Sequence, residues 1–383
     1  MSPQEILAAL GPKDAVLIGD NLWDCQENDW FVGGEQRLLE TLAEILRDTG
    51  LRVYAIQPHA SWAQWEAKGV VWIGVPPASR HGWGRWRWNR TVHAHLSPQA
   101  RVIYSYAELA HPRRVPGSVI WQHGVAWDGR SSEKQWRARR QNRAVLDECG
   151  AIVCVDTNFP NVLATSLRCL DRLHEVCVYI PNFPGAVPET SPLVPLGEPH
   201  VVYVRRFGKA RGTDLMVEAA RQLWDEGFGF SLELVGHSHN GCEEVGIRNS
   251  LAKELESGRA IIHKLPFSRV HEAYERGHIA VVPTRQGEGT SLACLEAFAF
   301  GLPVIATWVG GLPNLVQDGL NGRLVPPTIS GVTSALRDLL QNPHTCAQLR
   351  QGALATADRF SRARWEHQVL ELLKRLGWIS SLK

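Results

Sequence analysis

Apolar residues along this chain fall into two alternating patterns. Runs of strand length punctuate the first half: AVLIG (15–19), RVYAI (52–56), VVWIG (70–74), RVIYSY (101–106), SVIWQH (118–123) and AIVCV (151–155). Most intervals between them carry helical periodicity; over 34–49, Leu38, Leu39, Leu42, Ile45 and Leu46 fall on one face. The stretch 180–200 breaks the pattern with Pro181, Pro184, Pro188, Pro192, Pro195 and Pro199. That density excludes helix interior and central strand, and predicts an extended linker. The alternation then resumes: VVYV (201–204), a helix from about 213, LELVG (232–236), IIHKL (261–265), IAVVP (279–283), a helix over 291–300, PVIAT (303–307) and GRLVP (322–326). A last helix is predicted from Phe360.

Two consecutive βα series predict an α/β protein of two Rossmann-like, doubly wound domains facing across a cleft. The expected boundaries are 1–185 for an acceptor-side domain, 186–358 for a ligand-binding domain, and 359–383 for a helix packing back on the first. Composition changes little in this picture. The chain has 383 residues, 44% hydrophobic and 21% charged, with a formal net charge of +2, as in an ordinary globular protein. No apolar run approaches the ~20 residues needed to span a bilayer. The N-terminal MSPQEILAALGPKDAVLIGD lacks a basic segment followed by an apolar core, so no secretory signal is expected and a cytoplasmic location is. The eight cysteines form no C-x-x-C and most lie in apolar segments, which predicts small buried thiols rather than disulfides or a metal site.

Chemistry concentrates in GEGTSLACLEAFAFGLPVIAT (287–307). A strand ending at Pro283, a glycine-rich turn and a helix start form an arrangement whose free amides and dipole attract anions. Residues 289–292 are therefore a candidate phosphate seat. Glu288 stands just before it, and Glu296 lies in the helix among Ala293, Leu295, Ala297, Phe298 and Ala299. A carboxylate beside a phosphate seat suits a hydroxyl-rich partner, and a ribose diol can donate twice to one carboxylate. A solvated loop charge and a helix residue reaching water satisfy the same spacing. VVYVRRFGKARGTD places Arg205, Arg206, Lys209 and Arg211 in the loop after the strand at 201–204, where guanidinium groups can fork onto phosphate oxygens.

These residues resemble the signature of the retaining group 1 glycosyltransferases (glycosyltransferase family 4, GT-B fold): E-x7-E, then G-x-P-V-I-A, G-G, and N-G before an apolar strand. YVRRFGKARGTD resembles the family's Gly-Arg-x4-Lys-Gly element, GGEQRLLETLAEILRDTG its N-terminal glycine pair and first helix, and VIWQHG the strand ending in its active-site histidine. The resemblance is dense over about 200–327 and sparser before. It implies transfer of a sugar from a nucleoside diphosphate to an acceptor hydroxyl with retention, by front-face attack in which the leaving diphosphate helps deprotonate the acceptor.

By position, Glu288 would contact donor-sugar hydroxyls, with Gly289 and Thr290 facing the sugar and Ser291 and Leu292 the diphosphate. Glu296 would hold the ribose, Arg206 and Arg211 the diphosphate, and His123 the sugar near its reacting carbon. Gly33 and Gly34 would admit phosphate or acceptor. Three features depart from the family: Arg205 replaces a glycine, Arg211 a lysine, and fourteen residues (20–33) lie between the first strand and Gly34, the second glycine of the pair. No D-x-D occurs, so no metal and no cofactor beyond the donor substrate are expected.

A glycan or lipid-linked acceptor is the expected second substrate, in cell-surface glycan, glycolipid or polysaccharide synthesis. Residues 80–143 hold thirteen Lys and Arg against three acidic residues, and RHGWGRWRWNR interleaves tryptophan with arginine. That mixture suits an anionic membrane surface at the inner membrane face, more than nucleic acid. It is also compatible with a solvated basic face whose tryptophans turn inward. The alternatives are a nucleotide-sugar epimerase or phosphorylase of the same fold, or a non-catalytic nucleotide-sugar or glycan binder. A nicotinamide dehydrogenase is excluded because VLIGDNLWD is not G-x-G-x-x-G.

Overall fold

The computed structural model describes residues 1–31, 33–78, 82–125, 132–167, 170–190, 197–238 and 241–380. Arg80, Asp128, Arg130, Cys169, Pro192 and Pro195 lie outside them, as do the side chains of Glu133, Lys134 and Arg137. The described chain divides into two compact units: residues 1–123, 132–181 and 366–380 form the first, and residues 124–125 and 182–365 the second, where boundaries at 185/186 and 358/359 were expected. The segment from Glu366 groups with the first unit, where the Arg101 guanidinium donates to the Trp378 carbonyl. Trp365 stays in the second unit, its ring 5.0 Å from that of Phe183.

The first unit carries an eight-stranded sheet. Asp14–Ile18 lies at its centre, paired in parallel with Arg52–Pro58 on one side and Arg101–Tyr104 on the other. Val70–Val75 extends the first side; Val119–Gln122, Ala151–Cys154 and Cys177–Tyr179 extend the second. Strand order thus runs outward in both directions from the first strand, which makes its C-terminal end a switch point. Asp14–Ile18, Val119–Gln122 and Ala151–Cys154 are buried at every position, as strands covered on both faces are.

Two features were not legible in the hydrophobic pattern. Ala63–Ala67 adds an antiparallel edge strand, and its half-exposed residues carry no apolar run. The expected long loop at 20–33 contains a short hairpin, Trp23–Asp24 against Asp29–Trp30. Leu22 and Trp23 amides both donate to Gln57 Oε1, at 3.0 and 2.8 Å. Trp23, Trp30 and Trp65 gather round buried Trp72 with ring centroids 4.7, 4.8 and 6.0 Å away. Aromatic pairs at these separations add to simple burial, so this segment is anchored on the core, and four of the fifteen tryptophans serve packing.

The second unit carries a six-stranded, all-parallel sheet ordered Ala260–His263, Ser231–Val235, His200–Val204, Ile279–Val282, Val304–Thr307, Gly322–Val325. Both faces of its central strand are buried by alternation. Val201 and Tyr203 pack with Leu215, Leu223, Leu234 and Leu336, whereas Val202 packs with Leu295, Phe298 and Val304. The switch point lies between His200–Val204 and Ile279–Val282, which pair through Val201↔Ile279 and Val202↔Ala280. The basic loop leaves the first of these strands and the Glu288 turn leaves the second, so topology alone brings the two motifs to one sheet edge.

Candidate active site

In the second unit, Glu288 is 8% exposed and its carboxylate oxygen Oε2 accepts three hydrogen bonds. Arg205 Nη2 donates at 2.6 Å, Arg211 Nη1 at 2.9 Å and Thr284 Oγ1 at 2.8 Å. Thr284 is fully buried and in turn accepts from Arg205 Nη1 at 2.9 Å. Arg211 Nη1 also reaches the Gly287 carbonyl at 3.1 Å. Burial pushes the Glu288 carboxyl up, but the two guanidinium groups and the hydrogen bonds outweigh it, and its pKa lies below the ordinary carboxylate value. Glu288 is therefore an anion at neutral pH and cannot serve as a proton donor.

Two glycines permit this geometry. A Cβ on Gly310 would lie 2.0 Å from the Glu288 carbonyl oxygen, and the Gly311 amide donates to that same carbonyl at 3.0 Å. The G-G element thus supports the Glu288 turn from behind. A Cβ on Gly212 would lie 1.7 Å from the Pro283 carbonyl, so only glycine lets the basic loop approach the adjacent strand end. Tyr203 and Thr213 hydroxyls, 2.8 Å apart, tie the same loop down, and Thr213 Oγ1 accepts from the Gly208 amide at 3.0 Å.

Helix Leu292–Ala299 starts at Ser291, which makes no side-chain cap hydrogen bond. The first-turn amides, without intrahelical partners, remain available to an anion beside Gly289 and Thr290. Asn182 Nδ2 donates to the Thr290 carbonyl at 3.3 Å and fixes the turn. Glu296 is 4% exposed and accepts from the Tyr274 hydroxyl at 3.1 Å, with the Tyr274 ring stacked on Phe300. The structure brings Glu288, Arg211, Gly289, Thr290, Ser291 and Leu292 to the end of one strand pair. Arg206 is exposed, and the guanidinium buried against Glu288 is that of Arg205, whose side chain is 8% exposed. Arg205 stood in the sequence only as a bulky replacement for glycine. A buried anion needing a second cation was the signal that could have found it.

In the first unit, His123 follows Val119–Gln122 at the sheet's C-terminal edge. Its Nε2 is buried without a hydrogen-bond partner among the described residues, and Tyr106 meets its ring edge-on at 5.5 Å. Burial lowers its pKa to about 3, so the imidazole is neutral at any physiological pH. Gly33 caps helix Gly34–Asp48 without a side-chain hydrogen bond. A Cβ there would lie 2.2 Å from Gln36 Oε1. The next residue, Glu35, was not singled out by its spacing. It accepts from the Tyr106 hydroxyl at 2.6 Å, and burial, against hydrogen bonds from Tyr106 and Ser105, raises its pKa to about 7. Among the described residues no three His, Cys, Asp or Glu gather as a metal-binding group, and no helix is long and apolar enough to cross a membrane.

Residues 190–355 match the family described as Glycosyl transferases group 1. The chain is 33% identical over 184 residues to D-inositol 3-phosphate glycosyltransferase of Acidothermus cellulolyticus, covering 45% of this chain and 39% of that one. It therefore spans about two fifths of the length of this curated relative. Among solved structures, sucrose-phosphate synthase from Thermosynechococcus elongatus aligns with a TM-score of 0.72 at 19% identity, over 95% of this chain and 99% of that one. Anabaena Alr3699/HepE, solved in complex with UDP and glucose, aligns with a TM-score of 0.69 at 14% identity, over 94% of this chain and 99% of that one. The likeness to the group 1 glycosyl transferases is thus carried by residues 190–355, and the chain has the GT-B fold.

Proposed function

We propose that this protein is a retaining glycosyltransferase that moves a sugar from a nucleoside diphosphate to an acceptor hydroxyl. The observation that carries this is the switch-point cluster of the second unit. An ionised, desolvated Glu288 sits beside cationic Arg211 and an uncapped helix start. Arg211 and the amides of 291–292 neutralise the leaving diphosphate as its charge grows, the kind of preorganised stabilisation that lowers a barrier in a dry site. Arg206 adds charge from the exposed side of the loop. Glu288 receives a sugar hydroxyl, Glu296 the ribose diol, and neutral His123 offers a ring nitrogen to the donor sugar near its reacting carbon. Gly33 and Gly34 leave room for the acceptor. The relatives' names support glycosyl transfer, and the UDP in the Anabaena structure supports a nucleotide-sugar donor.

The acceptor is a glycan or lipid-linked saccharide, met at the anionic inner face of a membrane. The support is a surface of the first unit: Trp83 is 80% exposed and Trp136 56% exposed, with the Arg90 guanidinium over Trp86 and that of Arg140 over Trp136. Guanidinium and amide groups supply the charge neutralisation, so transfer runs without added metal. The test is a thermal-shift panel of UDP-, GDP- and ADP-sugars, followed by mass analysis of product with and without EDTA. Stabilisation by one base class, and product of unchanged yield in EDTA, are expected. No stabilisation by any member of the panel refutes the donor assignment. Turnover abolished by EDTA and restored by manganese refutes metal independence.

A further inference from the structure

Arg205 occupies a position where the resemblance leads one to expect glycine, and the structure gives it an occupation no glycine could perform. Its guanidinium spans the C-terminal ends of the two switch-point strands, donating from Nη1 to Thr284 and from Nη2 to Glu288. Thr284 closes the triangle by donating to the same Glu288 oxygen. All three bonds that Glu288 receives from Arg205, Arg211 and Thr284 end on Oε2. Among the described residues Oε1 accepts none. A carboxylate held by one oxygen alone presents the other in a fixed direction. The loss of rotamer freedom is met by the protein before a ligand arrives.

Resting on the donor assignment above, we propose that Arg205 is a positioning residue for the donor sugar: it pins Glu288 through Oε2 so that Oε1 receives a sugar hydroxyl. Arg205, with 8% of its side chain exposed, is the static partner of Glu288, whereas Arg211, at 29%, is open to the ligand. The guanidinium of Arg205 acts on Thr284 and Glu288, so it is expected to affect recognition of the sugar and to leave recognition of the nucleotide alone.

The test uses the full chain with Arg205→Lys, Arg205→Met, Arg205→Gly and Glu288→Gln, and with Arg205→Met combined with Glu288→Gln. Each is titrated calorimetrically with UDP and UDP-glucose, GDP and GDP-mannose, and ADP and ADP-glucose. In the base class that binds the parent protein, Arg205→Met and Arg205→Gly are expected to lose ~10-fold or more in affinity for the nucleotide sugar, comparable to one charge-assisted hydrogen bond. Affinity for the bare nucleotide is expected to change less than twofold. Arg205→Lys restores part of the loss. The double variant loses little beyond Glu288→Gln alone, as residues acting as one unit do. The acid limb of the pH–rate profile should also move upward in Arg205→Met. The other groups facing Glu288 are Arg211, Tyr203 and Cys294, and only Arg211 among them is cationic. Melting temperatures of the free variants identify any that unfold, and Arg205→Lys, which keeps the cation, then decides.

Equal loss for nucleotide and nucleotide sugar, or no loss in Arg205→Gly with an unmoved pH profile, overturns the inference while leaving the donor assignment intact. A parent protein that binds none of the six ligands overturns both.

Discussion

Two carboxyl groups of this protein are displaced in opposite directions. Glu288 is held ionised by guanidinium partners, so its folded pKa lies below the unfolded value. Its contribution to stability is present above the unfolded pKa and is lost as the pH falls through the folded one. Glu35 is raised to about 7 by burial, so what it contributes is present below the unfolded carboxylate pKa and is lost as the pH rises through about 7. Replacing Glu35 by Gln removes the charge while keeping an oxygen for the Tyr106 hydroxyl. The variant should lose less melting temperature than the parent between pH 5 and pH 8. The upper limit is on the order of 3 kcal/mol, for a carboxyl moved from its ordinary value to about 7. Parallel melting curves for the two proteins over that interval would show that Glu35 ionises freely. Neither residue's displacement was written in its neighbours along the chain. Glu288 was noticed because glycines and hydroxyls flank it, whereas Glu35 became visible only when Tyr106, seventy-one positions away, met it.

At the level of elements, the site is a strand, a turn and a helix start whose shape is held by a glycine in another loop. Gly310 has φ +56° and no space for a Cβ, since the Glu288 carbonyl would lie 2.0 Å from it. Gly319, with φ +75°, meets nothing closer than Arg323 Nη1 at 3.8 Å. Gly319→Ala isolates the cost of the left-handed backbone, ~1–2 kcal/mol for a residue with a Cβ. Gly310→Ala should exceed it, because backbone must move backbone to relieve the clash. A displaced Glu288 turn should then lower turnover of donor by ~10-fold or more, as misplacement by about an ångström does in catalytic sites. Steady-state rates and melting temperatures of the two variants, side by side, test this. Equal effects of the two substitutions would separate the G-G element from the Glu288 turn. The motif was legible as a spacing; its mechanical role was not, because a spacing does not say which backbone atoms touch.

For the whole molecule, the basic surplus of residues 80–143 is smaller in effect than in count. Arg85 pairs with Asp20 at 2.8 Å, Arg101 is tied to Trp378, and Arg114 donates to the Ala144 carbonyl at 2.6 Å and pairs with Glu148 at 3.1 Å. Trp88 and Trp121 are turned into the core. Trp83 and Trp136 stay in water, and neighbouring Arg87, Arg90 and Arg140 are exposed. Exposed indole with arginine is the composition that seats a protein at an anionic interface. Trp83→Ala with Trp136→Ala should reduce co-sedimentation with anionic liposomes several-fold, and salt should weaken what remains. Equal, weak binding of the parent to anionic and neutral vesicles would remove the membrane from the account.

The sequence by itself determined the alternation of strands and helices, the two βα series and the motif at 287–307, because hydrophobic periodicity and turn chemistry are local properties. It did not reveal the edge strand Ala63–Ala67 or the tryptophan-lined hairpin at 23–30, whose order comes from contacts with Gln57 and Trp72. Nor did it distinguish Arg205 from Arg206. Adjacent residues at a strand end point to opposite sides, and only the pairing of His200–Val204 with Ile279–Val282 decides which one meets a buried anion.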